Sequence, residues 1–436
     1  MKITSIQIIK TLHKKGYQAL WAGGCVRDML LGIEPKDFDI VTDAPPEDVE
    51  SIFDKTIPIG KQFGIIMVQQ DGHEFEIATF RKESDYTDGR RPSTVEFTDA
   101  YEDAHRRDFT INGMFYDPLT DKIIDHVNGQ RDLTLGLVEF IGDANQRIKE
   151  DNLRLLRAVR FKNTLQFQYE PKTYKAVLEH AELVKNVSAE RIQVELNKML
   201  KCPRRIDALN DLEDLGLLRV ILPEIQDLKG VGQSKTTHAE GDVYNHTLKS
   251  LNQIDDNEKL SIIWAVFLHD VGKATTFKAT NDRITFNGHA KESGNLAKQI
   301  LGRLKFSTRF IDHVVWLVER HMSLFQIFDM PKATQIKWFL HPWFLDLLEL
   351  HKYDTMGQSP VDLTKHDQLL KLYQDTVSEI PSLPDPFLSG TEICHLLAIQ
   401  PGPKVGKIKE QIYDLQLENK LKSKQEAQDY LLKHFT

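Results

Sequence analysis

The stretch "PKDFDIVT" (Pro35–Thr42) sets two carboxylates, Asp37 and Asp39, either side of Phe38, just before a β-branched pair. Alternate side chains of an extended chain share a face. Phe38 and Ile40 therefore turn toward a core, and Asp37 and Asp39 stand together on the other side. Two like charges at that spacing repel unless a cation lies with them. Mg²⁺ takes oxygen ligands in octahedral geometry, commonly one or two carboxylates plus substrate phosphates. Two such ions stabilise the attacking and the leaving oxygen of an in-line displacement at phosphorus. Glu76, in "FEIATFR", lies on a predicted neighbouring strand and is a candidate third carboxylate; a plain solvent-facing residue reads equally well there.

Upstream stands "GGCVRD" (Gly23–Asp28). Adjacent glycines after "LWA" permit a tight strand-to-helix turn and a close backbone approach. Amides at a helix start suit a triphosphate, and Arg27 adds a charge-assisted contact. Each motif alone is weak, and their order is the informative feature.

A third motif, "EDNLRLLRAVR", spaces Asp151, Arg154, Arg157 and Arg160 by three residues. On an α-helix each such step turns the side chain back by about 60°. The spacing predicts one edge carrying Asp151, Arg154 and Arg157, with Arg160 facing away from Asp151. An ion-pair ladder on a helix surface fits the same spacing. A recognition edge fits as well, since a carboxylate accepts from a base's exocyclic amino group and a guanidinium donates to its ring acceptors.

Further on, "YNHTL" (His246), "FLHDVGK" (His269, Asp270, Lys273), "GHAKES" (His289), "ERHM" (His321) and "HKYDTMG" (Asp354) share one predicted helical region. Imidazoles with carboxylates suit a divalent transition metal able to activate water for phosphoester hydrolysis. Lys273 can contact a phosphate.

The elements that must position these groups follow from patterning. Residues 1–140 mix helix and strand; "GIIMVQQ" and "EFEIATF" read as a hairpin joined by an Asp-Gly turn. Beyond residue 141 the apolar spacing is helical, with a loop "KGVGQSKTTHAEGD" and a Pro-rich linker "PSLPDPFLSG". The expected segments are 1–140, 141–235, 236–360 and 361–436. A net charge of −8 argues against a uniformly basic coat for nucleic acid. Residues 143–207 nevertheless hold 14 Lys and Arg against 9 Asp and Glu, so positive charge is concentrated there. No apolar run approaches a membrane span, no secretory signal is expected, and three scattered cysteines fit a reducing cytoplasm.

"GGCVRDMLLGIEPKDFDIVT", "FEIATFRKESDYTDGRRPSTVEFTD", "RRDFTINGM" and "EDNLRLLRAVRF" together resemble, in order, the class II tRNA nucleotidyltransferases, the CCA-adding enzymes, whose head bacterial poly(A) polymerases share. The resemblance implies an α+β head of polymerase-β type with a mixed sheet, then an all-α neck, body and tail. It implies Mg²⁺ on Asp37 and Asp39, with Glu76 as the third catalytic candidate, and nucleotide contacts by Gly24, Arg27, Arg107, Asp151, Arg154, Arg157 and Arg160. Asp108 and Asn112 match residues linking the head to the next segment. The family's loop for adding the terminal adenosine corresponds to "RKESDYTDGRRPSTVEF", which favours full CCA or A-only addition. The histidine-rich segment resembles HD-domain phosphohydrolases. That likeness implies a ligand set of His246, His269, Asp270 and Asp354, with His289 and His321 for a second metal. The tail segment "PGPKVG", with Lys404, can meet a tRNA phosphate. The implied partners are the tRNA 3′ end, CTP and ATP, with no membrane. The rival readings are an A-adding enzyme, a poly(A) polymerase, or an HD phosphohydrolase whose head only binds nucleotide or RNA. The sequence is silent on oligomeric state.

Overall fold

A computed structural model describes residues 1–86, 92–233, 241–280 and 284–435. These form two compact units, 1–226 and 227–436. The loop resembling the adenosine-adding element and the loop "KGVGQSKTTHAEGD" lie partly outside the described residues.

The strands of the first unit are β1 (Ala19–Ala22), β2 (Ile40–Thr42), β3 (Thr56–Gly60), β4 (Ile65–Gln70), β5 (His73–Thr79), β6 (Arg81–Tyr86), β7 (Pro92–Phe97), β8 (Phe115–Asp117) and β9 (Lys122–Ile124). Seven of them form one sheet in the order β3-β4-β5-β2-β1-β8-β9, while β6 and β7 pair as a separate ribbon. The β2–β5 pairing is parallel and the other neighbours run antiparallel, so the sheet is mixed, as the resemblance implies. The Asp-Gly turn joins β4 to β5 with positive φ at both Asp71 (51°) and Gly72 (76°), the backbone that a two-residue hairpin with the natural twist requires.

Each face of the sheet carries its own core. Helix Lys2–Lys14 buries Ile8, Ile9 and Leu12 against Trp21, Phe38, Ile40, Val68, Phe75 and Ile77. The other face packs Leu20, Ala22, Val41, Phe80 and Phe115 under Ala100 and Ala104. Period-2 alternation thus decides which strand residues remain for chemistry.

Beyond the sheet the unit turns helical, with helices Ala144–Glu150, Arg154–Leu165, Ala189–Leu200 and Arg205–Asp214. The helix expected through "EDNLRLLRAVR" is broken. Asp151 caps the first helix with extended backbone (φ −141°, ψ 104°), and the next helix begins at Arg154. The Asp151 carboxylate accepts the Leu153 amide at 3.1 Å, a local bond that competes with helix continuation.

In the second unit, helix Leu260–Leu268 is buried from Ser261 onward and apolar from Ile262 onward. Helices Val243–Asn252, Thr308–Arg320 and Phe344–Gly357 pack around it. After the Pro-rich linker, helices Gly390–Leu397, Pro403–Leu417 and Lys424–Phe435 share a smaller core of Ile393, Val405, Ile408 and Leu431. Lys404 lies exposed in the first turn of the middle helix. Among the described residues, no helix is long and apolar enough to cross a membrane.

Candidate active sites

The first unit holds a cavity of about 510 Å³ lined by eight basic and five acidic side chains. Gly24, Arg27, Asp37, Asp39, Arg107, Asp151, Arg154, Arg157 and Arg160 all reach it. Gly23 lies between β1 and helix Gly24–Leu30 with φ +71°, and a Cβ there would stand 3.1 Å from Arg107 Nη1. Only glycine takes that turn without strain while leaving the arginine in place.

Asp37 and Asp39 sit on the extended lead into β2, which begins at Ile40 and not at the aspartates. Phe38 and Ile40 are buried between and after them, and both carboxylates are solvent-accessible. Glu76 does not line the cavity. It falls beside Asp39 by register, since Ile40 pairs with Ile77 in the parallel β2–β5 ladder. Desolvation by the surrounding protein, then the charges of Asp37 and Glu76, push the Asp39 carboxyl up to about 6, and Arg107 pulls against them. A cluster of three carboxylates that cannot comfortably all ionise is a donor set fitted to a divalent cation with oxygen ligands.

The basic wall is braced from behind. Buried Asp103 accepts from Arg106 Nε (2.9 Å) through Oδ1 and from Arg107 Nε and Nη2 (3.1 and 3.0 Å) through Oδ2. Arg27 donates to Asn112 Oδ1 at 2.7 Å, Asn112 Nδ2 donates to Asp108 Oδ1 at 3.1 Å, and Arg157 donates to Asp108 Oδ2 at 2.6 Å. That chain of contacts ties the glycine turn to helix Arg154–Leu165. The guanidinium groups of Arg27, Arg157 and Arg160 all lie over the ring of Phe161, at 5.1, 5.1 and 3.9 Å.

Burial opposes the charge on Asp108, but Arg157, the Asn112 amide and Arg154 outweigh it and hold its carboxyl down to about 2. A carboxyl held below its ordinary value adds stability on the order of 2 kcal/mol above about pH 4, and this is lost as pH falls toward 2. Asp108→Asn is expected to lower the urea midpoint of the first unit at pH 7 and to match the parent near pH 2. Equal midpoints at pH 7 would contradict this.

Two expectations for the arginine motif are corrected. Asp151 is not on the helix that carries the arginines, for the capping reason above. Arg160 does not point elsewhere: it lines the same cavity, held by Glu195 and by the ring of Phe161. Arg154 is buried and donates to Glu150 Oε2 (2.9 Å) and to the carbonyls of Arg147 and Arg106 (2.8 and 3.0 Å). Three of a guanidinium's five N–H groups are thereby used and two remain.

The spacing of the next segment predicts a helix, which the structure shows, but the residues on it that hold this motif were missed. On Ala189–Leu200, Arg191 grips both Asp151 oxygens (3.0 and 2.7 Å), buried Glu195 accepts from Arg160 Nε at 2.5 Å, and Lys198 lines the cavity. Their 191, 195, 198 spacing is one helix face and was the available signal. It was masked by the helix's apolar stripe, which explains the same stretch by packing alone.

In the second unit the six expected ligand residues come together from five segments of the chain. His246, His269 and Asp354 form one group, and Asp270, His289 and His321 another. Asp270 faces both: Oδ2 is 3.2 Å from His269 Nε2, and Oδ1 is 3.4 Å from His289 Nε2. His269, His289 and His321 each turn Nδ1 to a backbone carbonyl (Val266, Phe286 and Val318, at 2.8, 3.0 and 2.7 Å). This fixes the tautomer whose Nε2 lone pair points inward. His269 Nε2 and Asp270 Oδ1 are buried and, among the described residues, make no hydrogen bond. Burial opposes a charge on His269, but Asp270 and Asp354 push it up to about 10, while burial and His269 push His321 down to about 4. An electron-rich buried cluster of this kind attracts a cation, and the donors fit a divalent transition metal. Lys273 lies 2.6 Å from Asp270 Oδ2, at the base of a cavity of about 670 Å³ walled by Phe286, Met322 and Phe325.

Comparison with known proteins sorts these features into recognised classes. Residues 19–139 match the poly A polymerase head domain, residues 166–229 the probable RNA- and SrmB-binding site of polymerase A, and residues 243–359 the HD domain. Three successive segments of the chain are thus similar to a poly(A) polymerase head, to an RNA-binding segment of polymerase A and to an HD domain. Its named relatives are CCA-adding enzymes. That of Bacillus pumilus is 46% identical over 209 residues, 47% of this chain and 52% of the relative. That of Bacillus licheniformis is 38% identical over 268 residues, 61% and 64% of the two chains. The chain spans between half and two thirds of the length of these relatives. In fold it is similar to the Bacillus stearothermophilus CCA-adding enzyme in complex with CTP, with a TM-score of 0.72 at 24% identity over 98% of this chain and 96% of the other. It is also similar in fold to the Thermotoga maritima CCA-adding enzyme complexed with tRNA, with a TM-score of 0.58 at 18% identity over 99% and 94%.

Proposed function

We propose that the first unit adds C, C and A to the 3′ end of tRNA without a nucleic-acid template, using CTP and ATP. The terminal ribose hydroxyl forms a bond to the α-phosphorus, the bond from that phosphorus to the bridging oxygen breaks, and pyrophosphate leaves. The observation that carries this reading is the single cavity where the aspartate pair, the glycine turn and four recognition residues meet. Asp37 and Asp39, with Glu76 beside them, hold Mg²⁺, which when bound neutralises triphosphate charge and makes the hydroxyl more acidic. Arg27 and Arg107, braced by Asn112 and Asp103, orient the triphosphate by charge-assisted hydrogen bonds. Asp151 accepts from the exocyclic amino group that cytosine and adenine share. The free N–H groups of Arg154, with Arg157 and Arg160, meet the ring acceptors. Uracil and the Watson–Crick edge of guanine set a carbonyl where that amino group is wanted, leaving a carboxylate facing an acceptor.

Asp151→Ala is therefore expected to raise UTP and GTP incorporation relative to CTP and ATP by about tenfold or more. The partly buried Asp151–Arg191 pair itself adds only about 1 kcal/mol of stability. Unchanged selectivity would remove Asp151 from base reading.

The direct test supplies labelled CTP or ATP to tRNA lacking CCA, tRNA lacking only A, and a generic RNA. The expected products are C and A on the first, A on the second and none on the third. Incorporation of A alone would identify an A-adding enzyme, and long A tails on generic RNA a poly(A) polymerase. No incorporation at all would defeat the reading. We place this work in the cytoplasm, where tRNA and reduced cysteines coexist; Cys25, Cys202 and Cys394 are all free thiols.

For the second unit we propose metal-dependent phosphoester hydrolysis. Its support is the buried, unbonded His269 Nε2 and Asp270 Oδ1 in a ligand set of the right chemistry. A metal held there supplies a more acidic water, and Lys273 offers charge to a phosphate. Opening of a 2′,3′-cyclic phosphodiester by water to the 2′- or 3′-phosphomonoester, dependent on added transition metal, is the measurement.

A further inference from the structure

The edge of the head sheet carries an apolar surface that packing does not use. In β3, Ile57 and Ile59 are 45% and 54% exposed, and Pro58 between them is exposed as well. Ile57 pairs with Met67 of β4, and Met67 pairs with Glu76 of β5. Directly paired residues share a sheet face. Glu76 in turn falls beside Asp39 through the Ile40–Ile77 register. One row of side chains therefore runs from Asp39 on the lead into β2 through Glu76, Met67 and Ile57 on three strands, from the carboxylates to an open apolar edge. Val41 and Ala78, on the same face, already lie under the packed core. The face is covered at its centre and open toward β3 and β4.

We infer that this open row seats the 3′-terminal nucleoside of the acceptor RNA. The inference rests on the nucleotidyl-transfer reading above. In-line displacement brings the attacking hydroxyl from the side of phosphorus opposite the leaving pyrophosphate. The triphosphate cavity is lined from the glycine turn, the β6 strand and the helices, and no residue of β3 or β4 lines it. The acceptor end thus approaches over β5, β4 and β3, past Glu76. The chemistry of the row fits what it must hold. A site that receives three successive 3′ ends, differing in base, gains from an apolar contact that ignores hydrogen-bonding pattern. Pro58 lacks an N–H and interrupts the edge, so the occupant is not an added β-strand from another protein. Lys55 precedes β3 in sequence and is exposed, giving positive charge for a flanking phosphate, whereas Lys61 after the strand is paired with Glu50 at 2.6 Å.

The test is the double variant Ile57→Ser, Met67→Ala in the full chain, with wild type assayed in parallel. Both positions are solvent-accessible, so circular dichroism and the melting curve should stay close to wild type. The expected result is a KM for tRNA lacking CCA raised about tenfold, with KM for CTP and ATP within twofold of wild type. RNA ending in 4-thiouridine should cross-link on irradiation to peptides of β3 or β4. An unchanged KM for RNA, or cross-links confined to other segments, overturns the inference. So does a change in oligomeric state on gel filtration with the RNA KM unchanged, which would make the row a protein interface. Failure of wild type itself to incorporate nucleotide would instead defeat the underlying reading, so the two failures are distinguishable.

Discussion

Asp39→Asn should lower nucleotide incorporation by about 10³-fold or more while leaving the chain as stable as before or slightly more so. Asparagine keeps the size and one carbonyl oxygen but removes the charge that holds a cation. The stability half of the expectation comes from the same geometry. Desolvation by the surrounding protein, and then the charges of Asp37 and Glu76, make the ionised Asp39 uncomfortable and push its carboxyl up to about 6. Removing a repelled charge relieves the fold, as is common where a site is built for chemistry and not for stability. Asp37→Asn should show the same split. Incorporation rates and melting temperatures of the two variants check it. Loss of activity together with loss of fold would mean the aspartates are structural, and retained activity would mean they are not ligands.

The second large effect is expected at Asp270. Its two oxygens face two separate groups of histidines, so one substitution disturbs both. Wild type dialysed against a transition metal should bind two ions per chain by elemental analysis, one for each group. Asp270→Asn should bind at most one, and phosphoester hydrolysis by the second unit should fall by about 10³-fold. Nucleotide addition by the first unit should be unaffected. Lys273 lies 2.6 Å from Asp270, and the variant leaves that buried ammonium without its counter-charge, so some loss of stability accompanies the change. Lys273→Met alone keeps the metal count testable should Asp270→Asn unfold, and it should still bind two ions. Full metal binding by Asp270→Asn would disprove the shared-carboxylate arrangement.

Local features of the sequence were legible because they are local in cause. The buried Phe38 and Ile40 and the outward Asp37 and Asp39 follow from a period of two. The Asp-Gly hairpin follows from backbone stereochemistry, and the glycine turn before Arg27 from the need for positive φ. The histidine set was legible from type and order, although helices far apart in the chain had to fold before its members met.

Other features have no local cause. Whether Asp151 continues a helix depends on a side-chain bond to Leu153 competing with one turn of backbone hydrogen bonds, a balance of about 1 kcal/mol that spacing cannot resolve. The grip of Arg191 on Asp151 and of Glu195 on Arg160 joins segments 40 and 35 residues apart, and an amphipathic helix with a polar face looks the same whether that face meets water or a site. The sequence by itself thus determined which groups could do chemistry and on which side of each element they stand, since periodicity and backbone sterics act within a few residues. Only the tertiary structure decided which of those groups share a cavity, which arginines are held by which carboxylates, and which sheet face stays open, because those outcomes depend on long-range packing.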